Sequence, residues 1–301
     1  MLDDKLKHNL HLHLLVFIAG FTAILGELIS IEAFSLVWYR MAIAFILMLL
    51  YIKWIGLRLT VSRTNCIRYL LAGIIIALHW ITFFASIKAA NISIALAMFS
   101  TGAFFTALIE PIFFKRKLIG YEVLFGLLVI IGVYLIIDSE IKYLKGIVLG
   151  IASALFSSLF AVLNGRFVEK DNAAIISFYE FIGGVAFISL YIALFGTGFS
   201  SDFFNLEKSD WIYLFLLASI CTAYAFIAAV YIMKFISPYT VVLTYNLEPI
   251  YGVVLAILLF GQSEIMSANF YIGALLILAT VLMNAVLKQR AKKRKKMLEE
   301  R

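Results

Sequence analysis

The chain reads as a succession of apolar runs about 20 residues long, separated by short polar or charged stretches. A helix of about 20 residues spans about 30 Å at 1.5 Å per residue, the thickness of a bilayer's hydrocarbon core. Ten such runs fit, over about 12–31, 34–54, 67–87, 92–114, 120–138, 146–165, 173–195, 211–233, 238–260 and 267–287. An outer-membrane barrel would instead alternate in polarity over segments of about 10 residues, which excludes that class. The expected fold is an all-α polytopic membrane protein with ten transmembrane helices. Its longest connection, near 196–210, is polar, and no Gly/Ser-rich or Pro-rich linker marks a soluble domain.

The run over 238–260 is interrupted at its centre by Tyr245, Asn246, Glu248, Pro249 and Tyr251. A charged side chain at mid-bilayer costs roughly 2.5–3.5 kcal/mol on insertion scales. Pro249 also denies the carbonyl of Tyr245 its helical partner. A lipid-facing helix gains nothing from either, so this segment is expected to face protein or a water-filled cavity.

The pattern repeats along the chain. Tyr39, Leu50, Tyr51 and Ile52 recur as Tyr179, Leu190, Tyr191 and Ile192 at an offset of 140. Lys88-Ala89-Ala90-Asn91 corresponds to Lys234-Phe235-Ile236-Ser237 at an offset of 146. Five spans per half place the halves in opposite orientations, a construction that many secondary transporters use around a midplane site. The expected organisation is two five-helix repeats, 1–144 and 145–288, and a basic tail, 289–301. At the second offset Asn246 is paired with Ser100, Glu248 with Gly102 and Tyr224 with Leu78, so small residues stand opposite the carboxylate.

Composition agrees with this picture. The chain is 64% hydrophobic and 14% charged, against about a quarter charged in soluble domains. Placing the N-terminus in the cytoplasm puts ten cations in the inner loops (Lys53, Arg58, Arg63, Arg68, Lys115, Arg116, Lys117, Arg166, Lys170 and Lys234). Four remain outside: Lys88, Lys142, Lys145 and Lys208. Both termini are therefore expected in the cytoplasm of a cell membrane protein. The net charge of +7 and the basic tail read as a cytoplasmic flank and require no nucleic-acid partner. The first 11 residues resemble a signal n-region, but the apolar run that follows is too long and contains Glu27, so it reads as a retained helix. Cys66 and Cys221 fall in different helices, and neither a disulfide, a zinc site nor another cofactor is implied. No phosphate-binding loop sequence occurs, so ATP is not the expected energy source.

Five ionisable residues lie inside the runs: Glu27, Arg40, Glu110, Glu180 and Glu248. Glu248 is the deepest and is the leading candidate for substrate binding or proton coupling, with Tyr245 and Asn246 beside it. Glu27 and Arg40 lie at similar depth in sequential helices, as a structural ion pair or a gate. Glu110 reads as a solvated or locally paired carboxylate near the cytoplasmic end. Glu180 takes the repeat position of Arg40 and faces either the cavity or a neighbouring helix. Tyr179, His79, Trp80, Ser100 and Tyr224 complete the candidate set, each also readable as packing. Trp54 and Trp211 sit where interfacial belts do. Small residues at Ala19, Ala23, Gly26 and Ser30, and at Gly146, Gly150, Ala154 and Ser157, read as close-packing faces.

Lys88-Ala89-Ala90-Asn91-Ile92-Ser93, Tyr245-Asn246-Leu247-Glu248-Pro249 and Leu258-Leu259-Phe260-Gly261-Gln262 together resemble the drug/metabolite transporter superfamily, in its EamA-type ten-helix branch. Gln262 stands where that family usually has an acid, and Lys115-Arg116-Lys117-Leu118 departs from its Gly-Glu-Arg-Leu pattern. The resemblance implies a five-plus-five inverted repeat, a central cavity and transport of small metabolites. The expected function is a secondary transporter, not an enzyme, moving a small polar or amphipathic solute outward by alternating access. A membrane-embedded transferase acting on a lipid-linked substrate and a channel are the alternatives. The partners are a small-molecule substrate and membrane lipids, and oligomeric state is left open.

Overall fold

The computed structural model describes residues 4–115, 120–196, 198–245 and 247–299. Among the described residues there are fourteen α-helices and no strand. They are α1 (Asp4–Leu28), α2 (Ala33–Trp54), α3 (Arg63–Ala89), α4 (Ile92–Phe99), α5 (Gly102–Phe114), α6 (Gly120–Ser139), α7 (Leu144–Phe167), α8 (Ala173–Phe195), α9 (Ser201–Phe204), α10 (Lys208–Ala218), α11 (Ala225–Ile232), α12 (Pro238–Tyr245), α13 (Glu248–Phe260) and α14 (Ala268–Glu299). Seven described segments are long and apolar enough to cross a membrane, and Leu124–Ser139 and Ala268–Asn284 are shorter apolar helices. Large apolar side chains such as Leu127, Leu258 and Leu275 are exposed on the outer surface, where lipid replaces water as their solvent.

Three of the apolar runs are not single α-helices. The run over 92–114 is divided between α4, ending at Phe99, and α5, beginning at Gly102, and the run over 238–260 between α12, ending at Tyr245, and α13, beginning at Glu248. The two breaks are separated by the same offset of 146 found in the sequence. At the first, the hydroxyls of Ser100 and Thr101 bond the carbonyls of Leu96 and Met98, competing with the helical ladder. At the second, the expectation of one helix over 238–260 is corrected: α12 ends at Tyr245 and α13 begins at Glu248. Pro249 is the second residue of α13, in a first turn whose N–H groups have no helical acceptor in any case. The third run passes through a π-helical segment, Ser219–Tyr224, between α10 and α11.

Helices from the two halves of the chain interleave. α3 packs along α7 and α8, α2 along α8 and α10, α1 against α13, and α6 against α14. Gly73 of α3 faces the carbonyl of Glu180, and Gly183 of α8 faces that of Leu70, so a methyl group at either would meet backbone. α6 and α14 cross in the same way at Gly132 and Gly273. Close approach through small residues compensates for the lack of a hydrophobic drive between helices in lipid.

The end carrying the α1–α2, α3–α4, α6–α7 and α13–α14 connections is tied by polar groups, of which Asn91, Glu140, Asp210 and Glu264 are buried. Lys88 Nζ donates to the carbonyls of Glu27 (3.2 Å) and Ile29 (2.7 Å), placing a cation at the C-terminus of α1. Asn91 caps α4 through the N–H of Ile94. The carboxylate of Glu264 accepts from Ile92 N, Ser93 N and Ser93 Oγ at 3.1, 2.8 and 2.8 Å, joining the start of α4 to the α13–α14 connection. Glu140 accepts from Ser267 N ahead of α14, and Asp210 accepts from the N–H and hydroxyl of Ser30. Lys88 and Asn91, which carry part of the family resemblance, thus cap helices in this fold.

Candidate functional site

Nine helices and the π-helical segment surround a cavity of about 150 Å³. Its walls are mostly apolar, with Trp80 and Phe83 from α3, Phe99 from α4, Phe160 from α7 and Phe226 from α11. Charge enters from two directions, Arg40 of α2 and Glu248 of α13. Both breaks border the same space, the first through Phe99 and Gly102 and the second through Tyr245 and Glu248.

Arg40 is 2% exposed, and its environment is built for a guanidinium. Nε donates to Thr222 Oγ1 at 2.6 Å, and Nη2 donates to the carbonyl of Cys221 at 3.3 Å. Thr222 in turn donates to the carbonyl of Leu217, five residues back, at 2.6 Å. The π-helical turn displaces the normal ladder and makes the Cys221 carbonyl available to a side chain; such turns recur at functional sites. The guanidinium carbon lies 4.0 Å from the centroid of Trp80, a cation–π stack over the face of the indole. The suggested Glu27–Arg40 ion pair is corrected accordingly. Arg40 turns inward to Thr222, while the backbone at Glu27 receives Lys88.

Glu248 is 4% exposed and opens α13, where the positive end of the helix dipole favours a carboxylate. Tyr245 ends α12 on the same wall, and Asn246, between them, lies outside the described residues. His79 lies in the wall of α3, stacked 5.3 Å from Phe99. Its Nδ1 lies 3.0 Å from the carbonyl and 2.9 Å from the hydroxyl of Ser153, which ties α3 to α7.

The other predicted residues fall elsewhere. Glu180 is fully buried between α8 and α7, where Asn164 Nδ2 donates to it at 2.8 Å, and it is not part of the cavity wall. Of the two orientations open to it at the repeat position of Arg40, Glu180 takes the one that faces a neighbouring helix, toward Asn164 of α7. The hydroxyl of Tyr179 donates to the carbonyl of Leu59 and fastens the α2–α3 connection. Tyr224 is 45% exposed and bonds His11 at 2.9 Å, because the π-helical turn rotates it off the inner face. Ser100 is buried in the first break with its hydroxyl on Leu96, outside the wall. Ala19 and Ser157, read from sequence only as packing positions, do line the cavity. Sequence reasoning missed Thr222 and Cys221, which no local pattern marks, since a π-helical turn has no residue signature of its own.

A solved structure described as "Crystal structure of protein" aligns with a TM-score of 0.68 and 16% identity, covering 95% of this chain and 98% of that one. At that identity the likeness is one of fold. No curated protein matches the chain. The profile of the EamA-like transporter family matches residues 7–138 and again residues 144–286. With nearly the whole length covered by two successive matches, this integral membrane protein belongs to the EamA-like transporter family.

Proposed function

We propose that the protein is a secondary transporter that moves a small metabolite through the Arg40–Glu248 cavity by alternating access. In this reading its ten spans form two inverted five-helix repeats, 1–144 and 145–288, and the tail 289–301 is cytoplasmic. The observation that carries it is the pair of interrupted helices at one repeat offset, α4/α5 and α12/α13, bordering one cavity. Interrupted spans at corresponding positions of two halves mark midplane binding sites in transporters. Packing supports the inversion, since α1 against α12 and α13 is mirrored by α7 against α4 and α5. The excess of cations in the loops assigned to the inside supports a cell membrane protein with both termini in the cytoplasm. Met233 and Val241 line the cavity beside the α11–α12 connection, on the cytoplasmic side in this orientation. Loading from that side favours export.

Counterflow in proteoliposomes tests the reading. Saturable exchange that requires solute on both sides is the expected result. Flux linear in concentration would point to a channel, and turnover of a lipid-linked substrate without exchange would point to a transferase. Glu248→Gln is expected to slow exchange or change its proton dependence, and an unaltered rate and proton dependence would remove Glu248 from coupling.

A further inference from the structure

Arg40 leaves one of its nitrogens without a hydrogen bond. Nε and Nη2 are taken by Thr222 and Cys221, and the guanidinium face is taken by Trp80, but Nη1 is buried and has no partner. Neither Glu248 nor any other described group bonds it. Buried polar groups are almost always paired, so a charged donor left open on a side chain that borders a cavity points to a partner that arrives with the ligand.

We infer that the cavity takes a small solute with one carboxylate on a compact apolar body, the carboxylate seated on Arg40 Nη1. This inference rests on the reading of the cavity as the transport site. A monoanion fits better than a phosphate. Beside Arg40 the wall holds Glu248, His79 and otherwise uncharged residues, so the second charge of a dianion would meet a carboxylate and apolar surroundings. The body lies against Trp80, Phe83, Phe99 and Phe226. A cavity of about 150 Å³ is of the size that elsewhere admits a benzene molecule, so the body is limited to about four to seven carbons. Arg40 and Glu248 already oppose each other in charge. An incoming carboxylate therefore brings a second positive charge with it, either its own ammonium group facing Glu248 or a proton on that carboxyl.

The test compares ligands of one shape on the purified wild-type protein in detergent. The probes are L-leucine, 4-methylpentanoate, L-leucinamide and leucinol, and the readouts are tryptophan fluorescence and thermal stabilisation. At least one of the two carboxylates is expected to bind, with the amide and the alcohol weaker by roughly 10- to 100-fold, the range for a lost hydrogen bond to a charged group. Binding of leucine alone assigns the ammonium group to Glu248, whereas binding of both carboxylates assigns a proton. Leucinamide and leucinol binding as tightly as leucine, or no binding by any of the four, would overturn the inference. Arg40→Gln is expected to abolish the preference for carboxylates while Tyr224→Phe keeps it. Where Arg40→Gln does not fold, the ligand comparison on the wild-type protein decides alone. Counterflow separates the two readings: equal exchange of leucine and leucinamide rejects the carboxylate site and keeps the transporter, whereas binding without exchange rejects the transporter and keeps the site.

Discussion

Glu264 offers a quantitative test of how the fold is held. Its carboxylate is 2% exposed and bonds two backbone N–H groups and one hydroxyl at the start of α4, more than 170 residues away in sequence. Replacement by Ala leaves Ile92 N and Ser93 N buried without acceptors. At about 1–3 kcal/mol per buried unsatisfied donor, the loss of two comes to about 2–6 kcal/mol. Glu264→Gln retains one acceptor oxygen and turns an amide NH₂ toward an N–H, so about 1–3 kcal/mol is expected. Ser93→Ala removes the hydroxyl alone and costs about 1 kcal/mol. The measurement is thermal denaturation in detergent at a fixed scan rate, where 1 kcal/mol corresponds to roughly 2–4 °C in chains of about 150–250 residues. Glu264→Ala should therefore lower the midpoint by on the order of 4–24 °C. The double variant should be less damaged than the sum of the singles, because the two side chains share a bond. A midpoint for Glu264→Ala within about 1 °C of the parent, or strict additivity with Ser93→Ala, would refute the reasoning.

Two further outcomes follow from packing. Gly73→Val puts a branched side chain against the carbonyl of Glu180, where backbone rather than a movable side chain must yield, so folded protein should be lost or its midpoint fall sharply in a detergent melt. Gly120→Ala, with nothing within 4 Å, is the matched control and should accumulate normally. Tyr224→Phe removes only the bond to His11 at an exposed position, so stability should change by less than about 1 kcal/mol and counterflow should be unchanged.

Much of the architecture was legible before any coordinates. Apolar runs long enough to cross a bilayer, with no pattern suited to strands, require helices, because lipid leaves backbone groups no partner but their own chain. The pairing of Ser100 with Asn246 was read from a repeat offset, and the two helix breaks stand at that offset. Glu248 was recognisable because a carboxylate deep in an apolar run is costly wherever it does not meet protein or water. Arg40 stood out for the same reason, and His79 and Trp80 were available as neighbours on one helix.

What tertiary structure decided was rotation about helix axes and the choice of partner. Depth along a helix follows from counting residues, but the direction of a side chain depends on its turn number and on any irregularity before it. One π-helical turn over Ser219–Tyr224 sends Tyr224 outward and presents Thr222 and the Cys221 carbonyl to Arg40. Glu180 and Arg40 share a repeat position, yet Asn164 draws one into the packing while the cavity keeps the other. The segment around Glu248 carried its chemistry in its residues, whereas its opening into a helix break beside Arg40 depended on α2, α3 and the π-helical turn meeting there. Those contacts join positions far apart in the chain, and no local pattern encodes them.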